Sequence, residues 1–384
     1  MKNQLQIGVG VVGTGFIGEL HIESLRRLGF VKVVAIAEVN KELASLKASQ
    51  LRVPKFYSDF HDLVSDNEVE VVHVCTPNYL HYKQTLFTLE VGKHVVCEKP
   101  LGLDSNETFK LVELLRKSNV VGAVNFNSRF YPLVKVMKDM VQSGELGDIY
   151  AVTGSYMQDW MLKKTDYDWR SDMKLGGKTQ VVATIGSHWL DLVQYVIGFK
   201  IDSVCADFQT VHKKRIRRIE STEGDNREEF VTIYSEDFAN ILLRFSNDIP
   251  GNVTFSHVSA GKRLELKIGI YGSKCSVEWN SEKPNFLWIG LRDEPNRILL
   301  KDPNLVKPKL RSFYSLPGGH TEGYADTIKQ NFENIYYKII NESGVEKTLD
   351  FATIEDGHDV QLIIDSIFES AKNKKWIKIN RNNL

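Results

Sequence analysis

Short apolar runs alternate with amphipathic segments through the first 125 or so residues. Runs of this length are typical of buried strands, and the segments between them have helical periodicity. The predicted strands are a run from Ile7, Val31–Ala37, Val69–Val74, His94–Cys97 and Val120–Phe126. The predicted helices are a run through Leu20–Leu28, Lys41–Gln50, Phe60–Ser65, Tyr79–Glu90 and Ser105–Ser118. This alternation predicts a parallel sheet with helices on both faces.

The rhythm changes after about residue 126, where strand-like runs follow one another with few long helices between them. The predicted strands are Ile149–Tyr156, Ser203–Val211, Asp237–Phe245, Gly251–His257, Leu264–Tyr271 and Cys275–Trp279. The predicted helices are Leu133–Ser143, Ile185–Ile197, Gly323–Ile340 and Ile354–Asn373. Consecutive strands favour hairpins and a largely antiparallel sheet. We therefore expect an α/β domain over residues 1–125 and an α+β domain over residues 126–384.

A glycine motif lies between the first predicted strand and the first predicted helix, in the order Gly13-Thr14-Gly15-Phe16-Ile17-Gly18. Gly13 permits a tight turn, Gly15 lets the backbone approach a pyrophosphate, and Gly18 lets helix and strand pack closely. The pyrophosphate then faces the N–H groups at the start of the helix. In this context the motif predicts a dinucleotide site.

An acidic residue, Glu38, ends the second predicted strand, twenty residues after Gly18. A carboxylate at this place hydrogen-bonds the adenosine ribose hydroxyls and repels a 2′-phosphate. The predicted cofactor is therefore NAD rather than NADP.

Composition narrows the class of protein. Apolar residues make up 42% and charged residues 26% of 384 residues, as in an ordinary globular protein of two domains. The formal net charge is zero, so we expect no nucleic-acid partner, and the basic runs Lys213–Arg218 and Lys372–Lys378 are predicted to be solvated faces. The sequence predicts no membrane span and no signal peptide. Four scattered cysteines indicate buried small side chains in a reducing cytoplasm.

Candidate functional residues follow two further predicted strands. Thr76, Pro77 and Asn78 follow one, and Glu98 and Lys99 follow the next. In parallel sheets ligands bind beyond the carboxyl ends of the strands, where a lysine can polarise a carbonyl or alkoxide oxygen and pass a proton. A surface lysine beside a turn is the alternative interpretation.

A histidine on a predicted helix of the second domain is the other candidate. Asp191 follows His188 by three residues, so the two share a helix face, and an imidazole exchanges protons near neutrality. A structural histidine is the alternative. No third ligand has suitable spacing for a metal site. Tyr156 and His320 are weaker candidates for binding a polyhydroxylated ring.

These motifs together resemble the Gfo/Idh/MocA oxidoreductases, which include glucose–fructose oxidoreductase and inositol dehydrogenases. The resemblance rests on the glycine motif, Thr76-Pro77-Asn78 with His81, Glu98-Lys99-Pro100, Asn125–Phe130, Trp169-Arg170, Ile185–Asp191 and Glu355-Asp356-Gly357. It implies a Rossmann domain followed by an open, mostly antiparallel sheet, with substrate bound between them. Members generally oxidise or reduce a hydroxyl of a sugar or cyclitol with a nicotinamide cofactor.

The resemblance also implies roles for residues. Lys99 is similar to the lysine beside the reacting oxygen, and His188 to the histidine that exchanges the proton. The residues implied to bind the cofactor are Gly13, Gly15, Phe16, Ile17, Gly18, Glu38, Thr76, Pro77, Asn78, His81, Glu98, Trp169 and Arg170. Those implied or suggested to bind substrate are Lys99, Arg129, Tyr156, Asp172, His188 and His320. Pro100 is expected to follow a cis peptide bond.

One position departs from the family pattern. The family commonly has an aspartate four residues before the histidine, where this chain has Thr184. A hydroxyl can bind substrate but carries no charge at neutral pH, so Asp191 or Asp172 substitutes for the acid, or His188 releases its proton directly.

We therefore predict an NAD-dependent dehydrogenase acting on a secondary hydroxyl of a sugar, sugar derivative or cyclitol. Two alternatives stay open because of Thr184. One is an enzyme that retains NAD through a glycosidic elimination or epimerisation, and the other is a non-enzymatic NAD or sugar sensor. The resemblance further implies a homodimer or homotetramer.

Overall fold

The computed structural model describes residues 6–219, 227–340 and 350–381. The strands are β1 (Ile7–Val12), β2 (Val31–Ala37), β3 (Lys55–Tyr57), β4 (Val71–Val74), β5 (His94–Cys97), β6 (Gly122–Val124), β7 (Ile149–Met157), β8 (Ile201–Gln209), β9 (Lys214–Ile219), β10 (Arg227–Thr232), β11 (Phe238–Phe245), β12 (Pro250–Ser256), β13 (Glu265–Gly272), β14 (Ser276–Asn280), β15 (Phe286–Gly290), β16 (Arg297–Leu300), β17 (Ala352–Thr353) and β18 (Ile377–Lys378).

The α-helices are α1 (Phe16–Arg26), α2 (Lys41–Leu51), α3 (Phe60–Ser65), α4 (Asn78–Glu90), α5 (Ser105–Leu115), α6 (Pro132–Gln142), α7 (Met173–Gly176), α8 (Ser187–Ile197), α9 (Tyr324–Ile340) and α10 (Ile354–Asn373). A π-helical segment, Val182–Gly186, precedes α8. None of the described helices is both long and apolar enough to span a membrane.

The chain divides into two compact units. The first comprises the described residues of 1–131, 312–316 and 322–361, and the second those of 132–311, 317–321 and 362–384. The sequence analysis assigned every residue after 125 to one domain. The structure differs because α9 packs into the core of the first unit, where Ile328, Phe332 and Ile335 are fully buried.

The first unit contains a seven-stranded sheet in the order β17-β6-β5-β4-β1-β2-β3. All its pairings are parallel except that of β17 with β6. β1 pairs with both β2 and β4, so the strand order reverses direction beside β1. The fold is the expected Rossmann type, and this reversal is the point at which such sheets bind ligands.

The second unit contains a nine-stranded sheet in the order β16-β15-β14-β13-β7-β12-β11-β8-β18. Its pairings are antiparallel apart from β7 with β12, which confirms the predicted mostly antiparallel sheet. α8 lies against it: the Trp189 indole N–H donates to the Lys267 carbonyl oxygen at 2.9 Å. A Cβ atom at Gly154 would lie 2.2 Å from the same indole nitrogen, so only glycine fits beneath the helix.

The basic run at residues 213–218 is not wholly a solvated face, contrary to the prediction. It forms β9, in which Arg215 is fully buried and paired with Asp237 at 2.9 Å. The Arg215 guanidinium also donates to the carbonyl oxygens of Lys163 and Asp166. The tertiary partners compensate the buried charge, which the local sequence does not reveal.

Candidate functional site

The glycine motif forms a tight turn from β1 into α1. Gly13 has φ +83°, a conformation that favours glycine, and its N–H donates to the Ala37 carbonyl oxygen at 2.9 Å. Gly15 precedes the helix, and a Cβ atom placed on it would meet no atom within 4 Å. Open space above the N-terminus of a helix fits the pyrophosphate of a dinucleotide.

A pocket of about 200 Å³ lies beside this turn at the carboxyl ends of β1 and β2. Its lining residues are Val12, Gly13, Ala37, Glu38, Val39, Ser58, Asp59, Phe60, Thr76, Leu80 and Gln84. Glu38 accepts hydrogen bonds from the Thr14 backbone N–H and from the Thr14 hydroxyl, the latter at 2.7 Å. The carboxylate is thus fixed in the lining of the pocket, where it can accept hydrogen bonds from ribose hydroxyls.

Not every predicted cofactor residue lines this pocket. Phe16 is 80% exposed and lines a wider depression on the outer side of α1, together with Glu19, Glu23 and Arg26. That depression is lined by residues of α1, by Arg27 and by Leu51, and no strand end converges on it. Sequence reasoning missed Asp59 and Gln84, which come from elements other than the glycine motif.

The ends of neighbouring strands line up along one edge of the first sheet. Val12 pairs with Val74, and Val74 pairs with Cys97. The residues that follow these three, including Thr76 and Lys99, therefore lie at the same edge as the glycine turn. Lys99 is half-buried there.

The peptide bond between Lys99 and Pro100 is cis, as the resemblance implied. His81, predicted to bind the cofactor, is buried with its ring nitrogens 2.7 Å from the Pro100 carbonyl oxygen and 2.6 Å from the Thr76 carbonyl oxygen. The side chain ties these two turns together. Both nitrogens face backbone oxygens of the protein, and a role of His81 toward the cofactor stays a prediction.

Thr76 and Asn78 begin α4, where Pro77 is the N-terminal cap. The Thr76 hydroxyl donates to the Gln84 side-chain oxygen at 2.6 Å, and the Asn78 side chain is buried. Arg129, expected to face substrate, is buried with its guanidinium 3.3 Å from the Asp356 carboxylate. The first unit therefore already supplies this arginine with an acidic partner.

In the second unit, His188 lies near the start of α8 and is 6% exposed. The ring of Tyr156, from β7, lies 6.3 Å from the imidazole between centroids, and Tyr156 is buried as well. The structure thus brings together two residues that the sequence analysis proposed separately. An imidazole beside a phenol can exchange a proton with a hydroxyl group.

Thr184 belongs to the π-helical segment rather than to a regular α-helix. The Ser187 N–H bonds to the Val182 carbonyl oxygen, five residues earlier, as π-helical geometry requires. The predicted helix from Ile185 is therefore irregular at its start. Short π-helical segments are frequent at functional sites, and Thr184 is half-buried while its neighbours are buried.

A buried carboxylate that sequence reasoning missed holds the start of this segment. Glu236 accepts hydrogen bonds from the backbone N–H groups of Gln180, at 2.9 Å, and Val182, at 3.1 Å. Burial raises the pKa of Glu236 to about 7, and the neighbouring charge of Asp237 adds to the effect of burial. An acidic residue just before an apolar strand pattern was the available signal, but its partners lie over 50 residues away.

Trp169 and Arg170 form a stacked pair, with the guanidinium carbon 4.4 Å from the indole centre. Asp168 accepts hydrogen bonds from the Arg170 guanidinium at 3.0 Å and from the Arg170 N–H. Asp172 is exposed and accepts a hydrogen bond from the Lys174 N–H, so it caps α7. His320 is exposed, and its carbonyl oxygen accepts a hydrogen bond from Lys301 at 2.9 Å.

Comparison with known proteins identifies the class. A family profile described as an oxidoreductase family with an NAD-binding Rossmann fold matches residues 7–126, and a profile for the GFO/IDH/MocA C-terminal domain matches residues 134–278. Levoglucosan dehydrogenase of Pseudarthrobacter phenanthrenivorans is 27% identical over 97% of this chain and 98% of its own. Myo-inositol 2-dehydrogenase of Thermotoga maritima is 28% identical over 70% of this chain and 74% of its own.

Solved structures show the same similarity as the sequence comparisons. A levoglucosan dehydrogenase in complex with NADH and L-sorbose superposes with a TM-score of 0.88 at 25% identity, covering 98% of this chain and 99% of its own. The fold and the dinucleotide site therefore define an NAD-dependent oxidoreductase. The chain belongs to the Gfo/Idh/MocA family, and its similarity to levoglucosan dehydrogenase extends along nearly its whole length.

Proposed function

We propose that the protein oxidises a secondary hydroxyl group of a sugar, sugar derivative or cyclitol, with Lys99 contacting the reacting oxygen and His188 accepting its proton. The observation that carries the proposal is the register of the first sheet, which places Lys99 at the edge where the glycine turn and the Glu38 pocket lie. NAD, when bound, supplies the acceptor for the hydride.

Different residues of this chain then bind the cofactor, stabilise charge and accept the proton. The glycine turn and Glu38 hold the two ends of the adenosine diphosphate portion. The Lys99 ammonium group stabilises negative charge on the oxygen as its proton leaves. His188, packed beside Tyr156, accepts that proton, and the buried pair limits access of water. Levoglucosan and L-sorbose bind the structural relative named above, which supports a pyranose-sized substrate.

The test is NADH formation with a panel of anhydrosugars, hexoses, sugar acids and inositols at mildly alkaline pH. We expect turnover of one chemical group that falls at least about 100-fold in both Lys99→Ala and His188→Ala, as for removal of an acid–base residue. Lys117→Ala, an exposed lysine after α5, is the matched control and keeps full activity.

Other outcomes have definite meanings. Turnover that survives either substitution refutes the role of that residue. No turnover across the panel, with NAD that stays bound through purification, favours an enzyme that retains its cofactor. NAD binding without any chemistry favours a sensor, which Thr184 in place of the usual acid would permit.

We also propose that the second sheet mediates a homodimer or homotetramer. Apolar side chains occupy one face at its β15–β16 edge, where the exposed Phe286 and Leu300 pair and the half-buried Trp288 pairs with the exposed Ile298. Light scattering after size-exclusion chromatography should show an oligomer that Ile298→Lys with Leu300→Lys reduces in mass. Leu46→Lys, equally exposed on α2, should leave the mass unchanged.

A further inference from the structure

A chain of hydrogen-bonded groups runs through the core of the first unit and ends beside Lys99. The Tyr336 hydroxyl lies 2.9 Å from His73 Nε2, and His73 Nδ1 lies 2.9 Å from His21 Nδ1. His21 Nε2 lies 3.0 Å from the Glu98 carboxylate. Three of these side chains are fully buried, and Glu98 is 6% exposed.

Hydrogen-bond chemistry assigns a direction to this chain. The ionised Glu98 carboxylate only accepts, so His21 Nε2 carries a proton and donates. The far end of the chain fixes the other direction, because the buried Tyr336 hydroxyl donates to His73 Nε2, so the proton of the neutral His73 ring lies on Nδ1 and is donated to His21 Nδ1. His21 Nδ1 is then an acceptor, and His21 is the neutral Nε2–H tautomer.

His73 Nδ1 must donate to His21 Nδ1, which leaves His73 Nε2 to accept from the Tyr336 hydroxyl. Burial lowers the pKa of His73 and raises the pKa of Tyr336, so the first stays neutral and the second stays protonated. Every proton along the chain points toward Glu98.

Glu98 receives other donors as well. The Asn125 amide donates to the carboxylate oxygen that His21 contacts, and Asn331 on α9 donates to the Asn125 oxygen at 2.8 Å. The second carboxylate oxygen accepts the Lys99 backbone N–H at 3.3 Å. Burial alone would raise the pKa of Glu98, but the hydrogen bond from His21 is the largest of the effects that lower it.

We propose that His73 and Tyr336 are positioning residues: they hold His21 in the Nε2–H tautomer and thereby orient Glu98 and the adjoining Lys99. The chain is not a path for protons to solvent, because Tyr336 is fully buried at its far end. The inference deepens the proposed function and rests on the role that we assign to Lys99.

The experiment compares His73→Leu with His73→Asn. Leucine removes the donor to His21, whereas the asparagine amide nitrogen stands near the position of His73 Nδ1 and can donate in its place. Nitrogen-15 NMR of histidine-labelled protein reads the tautomer directly, and a His21→Asn variant assigns the His21 signals. Turnover and the KM for NAD are measured on the same samples, with Tyr336→Phe as a milder change.

We expect wild-type His21 to be the Nε2–H tautomer. In His73→Leu this tautomer is lost and kcat falls about tenfold, the size of one hydrogen bond in free energy, while the KM for NAD stays within about twofold. His73→Asn restores the tautomer and most of kcat. Tyr336→Phe gives an intermediate loss.

Two results would overturn the inference. One is a wild-type His21 protonated at Nδ1, or at both nitrogens. The other is an equal loss of kcat in the leucine and asparagine variants with an unchanged His21 tautomer, which would indicate a packing role only. The NMR measurement needs no substrate, so it stands even where Lys99→Ala retains turnover and the proposed function itself fails.

Discussion

A Cβ atom at Gly18 would lie 2.0 Å from the carbonyl oxygen of Gly13, whereas one at Gly15 would meet no atom within 4 Å. The glycines of one motif therefore have separable functions. Gly18 lets α1 pack against the turn, and Gly15 leaves space that the folded protein itself does not use.

Gly15→Ala should leave the melting temperature unchanged and weaken NAD binding about tenfold or more, because hydrogen bonds to charged groups contribute about 1.5–3 kcal/mol each. Gly18→Ala should instead destabilise the fold by about 3 kcal/mol through overpacking. Calorimetric unfolding and titration with NAD measure the two effects. Equal loss of stability in both variants would contradict this division.

Glu38 is expected to set the cofactor preference, since its carboxylate lies in the lining of the pocket beside Thr14. Glu38→Ser should raise the ratio of kcat/KM for NADP over NAD about tenfold or more, by removing a charge that repels the 2′-phosphate. Glu38→Gln keeps an acceptor for Thr14 and isolates the effect of charge. Glu42→Ser, exposed on α2, should change nothing; an unchanged ratio in Glu38→Ser would refute the assignment.

Substitutions of Thr184 test whether a carboxylate at this position, which the family commonly has, changes the pKa of His188. Thr184→Asp should move the acidic limb of the kcat/KM profile to higher pH by about one unit, because a nearby carboxylate favours the protonated imidazole of His188. Thr184→Asn has a similar shape without the charge and should not move it. Coincident profiles for the two variants would show that position 184 does not act on His188 electrostatically.

The raised pKa of Glu236 predicts that the stability of the folded protein depends on pH. Its pKa rises from 4.5 to about 7 in the folded protein, so its contribution to stability is complete below about pH 4.5 and is lost as the pH rises through 7. Glu236→Gln should therefore gain about 2–4 °C in melting temperature relative to wild type between pH 5 and pH 8.5.

Glu228→Gln is the control for Glu236, since Glu228 forms an exposed ion pair with Arg218 on the hairpin of β9 and β10. Exposed pairs of this kind contribute little to stability, so the control should show no comparable trend. A melting difference for Glu236→Gln that is flat with pH would contradict a raised pKa.

The dinucleotide site could be predicted from sequence because its determinants are local. The glycine motif, Gly13 to Gly18, acts through backbone conformation, and Glu38 acts through its place at the end of an apolar strand. Both features can be recognised in a short segment of sequence. The cis peptide bond between Lys99 and Pro100 was expected only from the resemblance to the family.

Only the tertiary structure decided which polar groups are buried together. His73 sits in an apolar strand with no local sign of a partner, yet α1 and α9 bring His21 and Tyr336 to it. Arg215 belongs to a basic run typical of a solvated surface, and Asp237 makes its burial tolerable. The local pattern determined strands, turns and helices, because these depend on spacing. The long-range pairing of charges and hydrogen bonds depended on packing between distant elements, which spacing does not encode.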